Sequence, residues 1–308
     1  MSSHDILKPA PWKTITAFAI IYIVWGSTFL AIRIGVHEVP PLLFASMRFF
    51  IAGLALYIWQ MAHKEAHPTG REWASIALLA FLIFVVDYGL LFWAEQRVPS
   101  GIAAVMLATI PAFTALSEIL ILRTQRLTLR LALSLLIGLA GVAVLMSRGF
   151  HLGDAPIART GAIALLIGAL AWSIASVLTR KLPLPPSKVT SAAAQMLLGG
   201  ILLALVSGAA GEFHHFHPTS VSRAAWLSLL YLIIAGSLIG FTAYVWLIHH
   251  QSPTKVGTYA YVNPVIAVLL GYFFASEPLG LRTILGTLCI LISVIVITTT
   301  RTKKLSVT

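Results

Sequence analysis

The sequence predicts an all-α integral membrane protein, and its composition and its pattern of apolar runs lead to that prediction. The 308 residues are 58% hydrophobic and 10% charged, with a mean hydropathy of +0.92. A soluble chain carries about 25% charged residues, so the charges here are too few to cover a surface in water. The apolar residues fall into runs of about 20, which is the length of a helix that spans a bilayer, and an alternating strand pattern is absent.

Ten such runs are present, so we predict ten transmembrane helices. Their ranges are 14–33, 41–60, 73–95, 99–122, 129–147, 160–180, 188–208, 224–249, 255–275 and 282–300. The first run is longer than the core of a signal peptide and lacks a cleavage pattern, so we interpret it as a membrane helix. The predicted organisation is two five-helix units at 14–147 and 160–300, an outer connecting loop at 148–159, and terminal segments at 1–13 and 301–308.

The basic residues predict how the chain is oriented. Most of the 21 Lys and Arg residues fall in segments on the side of the N-terminus, and cytoplasmic loops carry the excess of positive charge. We therefore expect both termini in the cytoplasm of a bacterium and the helices in its inner membrane. The net charge of +11 does not indicate a nucleic-acid partner, because the basic residues are scattered between apolar runs and form no patch.

The two halves share residue spacings, which indicates an internal repeat. In each half one tryptophan lies eight residues before an arginine, and another lies eighteen residues before a proline. The pairs are Trp25–Arg33 and Trp172–Arg180 for the first spacing, and Trp93–Pro111 and Trp246–Pro264 for the second. Because five helices is an odd number, the second unit would be inverted in the membrane. Inverted repeats are typical of secondary transporters that work by alternating access.

Several motifs resemble those of the EamA-type family of the drug/metabolite transporter superfamily. They are Trp25-Gly-Ser-Thr-Phe29, Met47-Arg-Phe-Phe50, and the two proline-containing helices that end at Gln125 and Glu277. The chain departs from the family at Gln125, where the family usually has Glu. Members of the family include the YddG-type exporters of aromatic and other hydrophobic amino acids. The resemblance therefore implies metabolite export, with amino acids favoured and other metabolites or drugs as the alternative.

Pro111 and Pro264 lie near the middle of predicted helices four and nine. A proline leaves the carbonyl four residues earlier without its helical donor, and matched interrupted helices point to the binding site of a carrier. We therefore predict hinges at both prolines, with an ordinary tolerated kink as the alternative interpretation.

Aromatic and small polar residues predict the lining of a substrate cavity. Rings offer a face to an ammonium group, while hydroxyls and amides supply hydrogen bonds. An interfacial aromatic belt is the alternative, although it fits residues near helix ends better than those deeper in the membrane. The predicted lining residues are Tyr22, Trp25, Tyr88, Trp172, Ser237, Tyr244, Tyr259 and Asn263.

Arg48 and Asp87 are charged residues inside predicted helices two and three, at a similar depth. We predict that they form an ion pair that orients the two helices, and the alternative is a site for a proton or for a charged group of the substrate.

The sequence contains no motif for ATP, a cofactor or a catalytic triad. We expect no catalytic residues, no cofactor, no metal and a monomeric carrier whose partners are a small molecule and the lipid bilayer. A membrane-embedded hydrolase and a channel are the rival classes. A hydrolase would need a Ser/His or paired-carboxylate site, and a channel would need rings of like residues or a filter loop.

Overall fold

A computed structural model describes residues 10–122, 128–151, 155–251, 256, 258–277 and 279–299. Within these ranges the chain is helical and contains no β-strand. The terminal segments 1–9 and 300–308 lie outside the described residues, as does Gln125.

The helices are labelled α1 to α10 in chain order. Three of them consist of consecutive segments, whose bounds are given together. The helices are α1 (Pro11–Val36), α2 (Pro41–Ala62), α3 (Gly70–Ala80, Phe81–Tyr88 and Gly89–Ala94), α4 (Ser100–Leu107, Ile110–Ser117 and Glu118–Leu122), α5 (Leu129–His151), α6 (Ala155–Leu178), α7 (Lys188–Ala209), α8 (Arg223–Tyr231, Leu232–Ile239 and Gly240–His250), α9 (Tyr259–Ala275) and α10 (Leu281–Thr299). Short 3₁₀ turns at Glu212–His215 and Pro218–Ser220 connect α7 to α8.

Local sequence explains where several helices begin. Pro11 and Pro41 occupy the first turns of α1 and α2, where a missing N–H breaks no hydrogen bond. The side chains of Thr69, Ser187 and Ser222 cap α3, α7 and α8 by accepting hydrogen bonds from the first-turn N–H groups.

The middle segments of α3 and α8, Phe81–Tyr88 and Leu232–Ile239, are π-helical. Each wide turn loosens the regular hydrogen-bond ladder, and such segments are frequent at functional sites. Both segments are eight residues long, and periodicity in the sequence did not predict them.

The region at 148–159 differs from the prediction of a connecting loop. Helix α5 continues to His151 and α6 begins at Ala155. Charged residues mark a membrane boundary without ending a helix, so the helical backbone passes Arg148 and starts before Arg159.

The helices pack in a matched arrangement. Helix α1 packs against α8 and α9, and α6 packs against α3 and α4. Helices α4 and α9 also meet, while α2 pairs with α7 and α5 pairs with α10. We call the end of the bundle where α1 ends and α2 begins the first end, and the end where α2 ends and α3 begins the second end.

Glycines bring α2 and α7 into backbone contact. A Cβ atom on Gly53 would lie 2.3 Å from the backbone nitrogen of Leu197, and one on Gly200 would lie 2.4 Å from that of Phe50. Ser46 adds a hydrogen bond of 3.0 Å to the Gly200 carbonyl. Small residues at such a crossing allow close packing between helices in lipid.

Large apolar side chains cover the outside of the bundle. Examples on α2 are Ile51, Leu54 and Ile58, whose side chains are all exposed. Seven helices of the described chain are long and apolar enough to cross a membrane, and shorter apolar helices lie at Leu129–Val144, Val262–Ala275 and Thr283–Val296. An exposed apolar surface of this extent requires lipid, so the prediction of a helical, multi-pass membrane protein is confirmed.

We expect Gly53→Ala to destabilise the fold by about 1–3 kcal/mol, because the added methyl group overpacks a backbone contact. The matched control is Gly70→Ala, since a Cβ atom on Gly70 would meet nothing within 4 Å. Thermal unfolding in detergent measures both variants, and equal melting temperatures would contradict the close approach of α2 and α7.

Candidate functional site

Four of the predicted lining residues come together between α1, α8 and α9. The ring centroids of Trp25 and Tyr244 lie 5.2 Å apart, those of Trp25 and Tyr259 lie 5.2 Å apart, and those of the two tyrosines lie 6.0 Å apart. Tyr22 joins them through a hydrogen bond between its hydroxyl and that of Thr258. We call Tyr22, Trp25, Tyr244 and Tyr259 the Trp25 cluster.

The π-helical segment of α8 holds Trp25 in place. The indole nitrogen of Trp25 donates a hydrogen bond of 3.1 Å to the carbonyl of Gly236. A Cβ atom on Gly240 would lie 2.5 Å from the same nitrogen. Glycine at position 240 therefore makes room for the indole, and the indole supplies a donor to a carbonyl at membrane depth.

A second group of rings lies between α2, α3 and α6. Tyr88 meets Trp172 edge to face at 6.0 Å and Phe49 at 4.5 Å, and it stacks on Phe84 at 5.8 Å. We call Phe49, Phe84, Tyr88 and Trp172 the Tyr88 cluster. The two remaining lining candidates, Ser237 and Asn263, belong to neither cluster.

The predicted ion pair between Arg48 and Asp87 is absent. Arg48 reaches α8, where its Nε atom donates a hydrogen bond of 3.1 Å to the hydroxyl of Ser237. Asp87 faces α6 instead, because a Cβ atom on Gly168 would lie 3.0 Å from its Oδ1 atom. The side chains thus point to different neighbours, and Nη1 of Arg48 and Oδ1 of Asp87 are buried without hydrogen-bond partners.

Asn263 lies where α1 and α9 cross closely. A Cβ atom on Gly26 would lie 2.8 Å from side-chain atoms of Ile266 and 3.3 Å from the Asn263 carbonyl. Asn263 is buried, and its Oδ1 atom has no hydrogen-bond partner. The residue after it, Pro264, lies inside α9.

Pro111 has a different setting from Pro264. Helix α4 is interrupted at Ala108 and Thr109, and Pro111 is the second residue of the segment that follows. At that position a proline breaks no hydrogen bond, so the expected kink inside a continuous helix is replaced by a break. The Ser173 hydroxyl of α6 lies 3.0 Å from the carbonyl of Ile110 beside the break and 2.7 Å from the carbonyl of Ala169 in its own helix, so its one proton is shared between the two acceptors.

An ionic network joins the ends of three helices at the first end of the bundle. The Glu277 carboxylate accepts hydrogen bonds from the Ser100 N–H at 2.7 Å, the Ser100 hydroxyl at 2.7 Å and the Gly101 N–H at 3.0 Å. It also forms an ion pair of 3.2 Å with Nε of Arg33. We call Arg33, Ser100, Gly101 and Glu277 the first-end tie, and it joins the end of α1, the start of α4 and the segment after α9.

Glu95 lies next to the first-end tie. Its side chain is fully buried, and both carboxylate oxygens lack hydrogen-bond partners. Arg33 donates hydrogen bonds to the backbone carbonyls of Glu95 and Val98 at 3.1 and 2.8 Å. The guanidinium therefore binds the Glu95 backbone and forms no hydrogen bond with the Glu95 carboxylate.

A simpler contact joins α6 to α4 at the second end. Arg180 and Glu118 form an ion pair of 2.6 Å, and the ammonium group of Lys181 donates to the Ile121 carbonyl at 2.9 Å. We call Arg180 and Glu118 the second-end tie. The Arg180 side chain is 60% exposed, whereas that of Arg33 is 24% exposed, so water screens the second-end tie more strongly.

Two further glutamates bind the N-termini of helices at the first end. Glu212 accepts from the N–H groups of Leu42 and Leu43 at the start of α2, and Glu38 accepts from the N–H and hydroxyl of Ser222 before α8. A carboxylate at a helix N-terminus satisfies free N–H groups and complements the helix dipole. Sequence reasoning missed these contacts because 169 residues or more separate the partners.

The profile of the EamA-like transporter family matches residues 12–147 and 159–299 of the chain. The chain is 38% identical over 284 residues to "Uncharacterized inner membrane transporter YedA" of Escherichia coli strain K12, covering 92% of this chain and 89% of the relative. It is 24% identical to "Uncharacterized transporter YoaV" of Bacillus subtilis, covering 95% and 99%. It is 26% identical to "Protein PecM" of Dickeya dadantii, covering 89% and 88%.

A solved crystal structure has a similar fold, with a TM-score of 0.61 and 23% sequence identity, and the match covers 92% of this chain and 96% of the other.

We expect Glu277→Gln to destabilise the fold by about 1–3 kcal/mol, because it weakens several hydrogen bonds to a charged, buried acceptor. The matched substitution Glu118→Gln at the second end should cost less than about 1 kcal/mol, since its partner Arg180 is 60% exposed and water screens the ion pair. Unfolding in detergent followed by circular dichroism compares them, and a larger effect at Glu118 would contradict the ranking of the two ties.

The hydrogen bonds from the Ser222 side chain and backbone lower the pKa of Glu38. Such a carboxylate stabilises the fold above its ordinary pKa of about 4.5, and the contribution is lost as the pH falls through the lower, folded-state pKa. We expect Glu38→Gln to reduce the acid sensitivity of the melting temperature between pH 6 and pH 3. Glu65→Gln, in the exposed α2–α3 connection, is the control, and an unchanged pH profile in Glu38→Gln would disprove this role.

Proposed function

Because the chain belongs to the EamA-like transporter family, we propose that it is a secondary carrier that exports small metabolites by alternating access, with amino acids as the favoured substrates. Family membership and the relatives' names support a multi-pass transporter of the inner membrane and point to transport rather than catalysis. The mechanism, the direction of transport and the substrate class are the parts that we propose.

The proposed architecture is ten transmembrane helices in two inverted five-helix repeats. The matched packing supports it, because α1 meets α8 and α9 just as α6 meets α3 and α4. The π-helical segments support it as well, since they occupy the third helix of each unit. The family profile also matches two successive stretches of similar length.

The two ties at opposite ends are the observation that carries the proposal. Arg33 links α1 to the segment after α9 at the first end, and Arg180 links α6 to α4 at the second end. Under the proposed repeat, α6 corresponds to α1 and α4 corresponds to α9. A carrier that alternates between two openings needs such a pair of closures, one of which breaks while the other holds. The more deeply buried first-end tie then favours closure of the first end.

We propose that the N-terminus and the second end lie in the cytoplasm, because the bias of basic residues favours that orientation. The first end then faces the periplasm. Both ties are formed in the described structure. In this orientation an exported substrate would enter from the cytoplasm when the second-end tie breaks and the first-end tie holds.

Movements of α4 and α9 would couple the opening of one end of the bundle to the closing of the other. Helix α4 is broken at Ala108–Thr109 just before Pro111, and α9 contains Pro264 near its start. A break and an internal proline are both places where a helix bends at low cost. We propose that the half-helices move about these points.

The Trp25 and Tyr88 clusters favour a substrate with an apolar side chain. Each cluster consists of aromatic rings, and its tyrosines and tryptophan also carry a polar group, the hydroxyl or the indole N–H. Rings contribute a large apolar contact area and can also hold an ammonium group. Hydrophobic and aromatic amino acids combine these two features.

We expect Tyr244→Ala to reduce the transport of hydrophobic amino acids by about tenfold, which corresponds to about 1.4 kcal/mol, because it removes a ring of the Trp25 cluster. Asn263→Ala should also reduce transport. The measurement is the uptake of labelled amino acids into liposomes that hold the purified protein, with and without a pH gradient.

Tyr272→Ala is the matched control, since Tyr272 lies on α9 with its side chain 49% exposed. Stimulation of uptake by the pH gradient would assign proton coupling, and its absence would assign facilitated transport. Normal transport by both Tyr244→Ala and Asn263→Ala would disprove our placement of the site.

A further inference from the structure

Arg48 is a buried cation without a counter-ion in contact. It is 3% exposed, and its Nη1 atom has no hydrogen-bond partner. The ion pairs of the described chain, Arg33–Glu277 and Arg180–Glu118, do not involve it. Glu95, the buried carboxylate near the first-end tie, forms no ion pair with Arg48.

The guanidinium has only partial compensation for its charge. Its central carbon lies 4.7 Å from the ring centroid of Phe49 and 5.5 Å from that of Tyr88, and Ser237 accepts from Nε. Cation–π contacts and one hydroxyl offset part of the cost of burial. An arginine remains protonated in proteins, and a charge inside a membrane protein requires a partner or marks a functional site.

The position of the guanidinium connects the two aromatic clusters. Tyr88 touches it directly from the Tyr88 cluster. On the other side, a Cβ atom on Gly236 would lie 3.2 Å from Nη2 of Arg48, and the Gly236 carbonyl accepts the hydrogen bond of Trp25. An anion bound by the guanidinium would therefore lie near the Tyr88 ring and near Gly236, the residue that holds the Trp25 indole.

We infer that Arg48 binds an anionic group of the transported substrate, and that this group is a carboxylate. The inference rests on the proposed function, and it specifies which part of the substrate the carrier recognises. The planar N–H groups of a guanidinium match the two oxygens of a carboxylate. The hydroxyl of Ser237 lies beside the guanidinium, and Arg33, the cation of the first-end tie, is already engaged by Glu277. One cation suits a single negative charge better than a phosphate dianion.

The first experiment uses the wild-type carrier in liposomes. Unlabelled L-phenylalanine, L-phenylalaninamide and 3-phenylpropionate compete with the uptake of a labelled amino acid. We expect the two carboxylates to compete at least tenfold better than the amide. Equal competition by the amide would overturn the inference, although the carrier function would stand.

The second experiment measures binding without transport. We expect 3-phenylpropionate to raise the melting temperature of the wild-type protein in detergent and to have no effect on Arg48→Gln. Arg97→Gln is the matched control, because Arg97 also stacks on a ring, that of Trp93 at 3.9 Å, but its Nη1 atom has acceptors in the Trp93 carbonyl and Gln96. Stabilisation of Arg48→Gln equal to that of the wild type would overturn the inference.

The two experiments separate the possible failures. Suppose that 3-phenylpropionate stabilises the protein only when Arg48 is present, and that no amino acid is transported. The proposed substrates would then be rejected, whereas the anion site at Arg48 would stand. Should Arg48→Gln fail to fold, the comparison of acid and amide on the wild-type protein still decides the question.

Discussion

The rest of the bundle depends on the contact between the Glu277 carboxylate and the start of α4. In lipid, the N–H groups at the N-terminus of a helix have no water to bind, so they need an acceptor from the protein. Glu277 supplies it for Ser100 and Gly101 and is in turn neutralised by Arg33. The contact therefore fixes α1, α4 and the end of α9 relative to one another. Helices α1 and α9 carry most of the Trp25 cluster, so its geometry depends on this contact.

The same requirement for hydrogen-bond partners shapes the interior of the bundle. Where the helical ladder is interrupted, a side chain from another helix supplies a donor. Trp25 donates to Gly236 in the π-helical segment of α8, and Ser173 donates to Ile110 beside the break in α4. The irregular backbone is thus tied to the inner helices α1 and α6. Residues that satisfy the backbone and residues that form the candidate site are therefore partly the same.

The sequence predicted the helical membrane fold correctly, because a run of 20 apolar residues identifies a membrane helix by itself. The sequence did not reveal which helices are neighbours. For that reason the prediction joined Arg48 to Asp87 by depth alone, whereas Arg48 reaches Ser237, 189 residues later in the chain. The glutamate contacts were missed for the same reason, and the π-helical segments were missed because an eight-residue change of pitch barely alters the apolar pattern.

The burial of Arg48 has a consequence for biosynthesis. Ser237 is made 189 residues after Arg48, which at about 5–20 residues per second means a delay of roughly 10–40 s. During that time α2 must enter the membrane with a guanidinium that costs about 2.5–3.5 kcal/mol at the middle of an inserting helix. The apolar residues of α2 that later face lipid, among them Ile51, Leu54 and Ile58, help to offset this cost. These side chains have few neighbours in the finished bundle, yet they help to decide whether the translocon releases α2 into the bilayer at all.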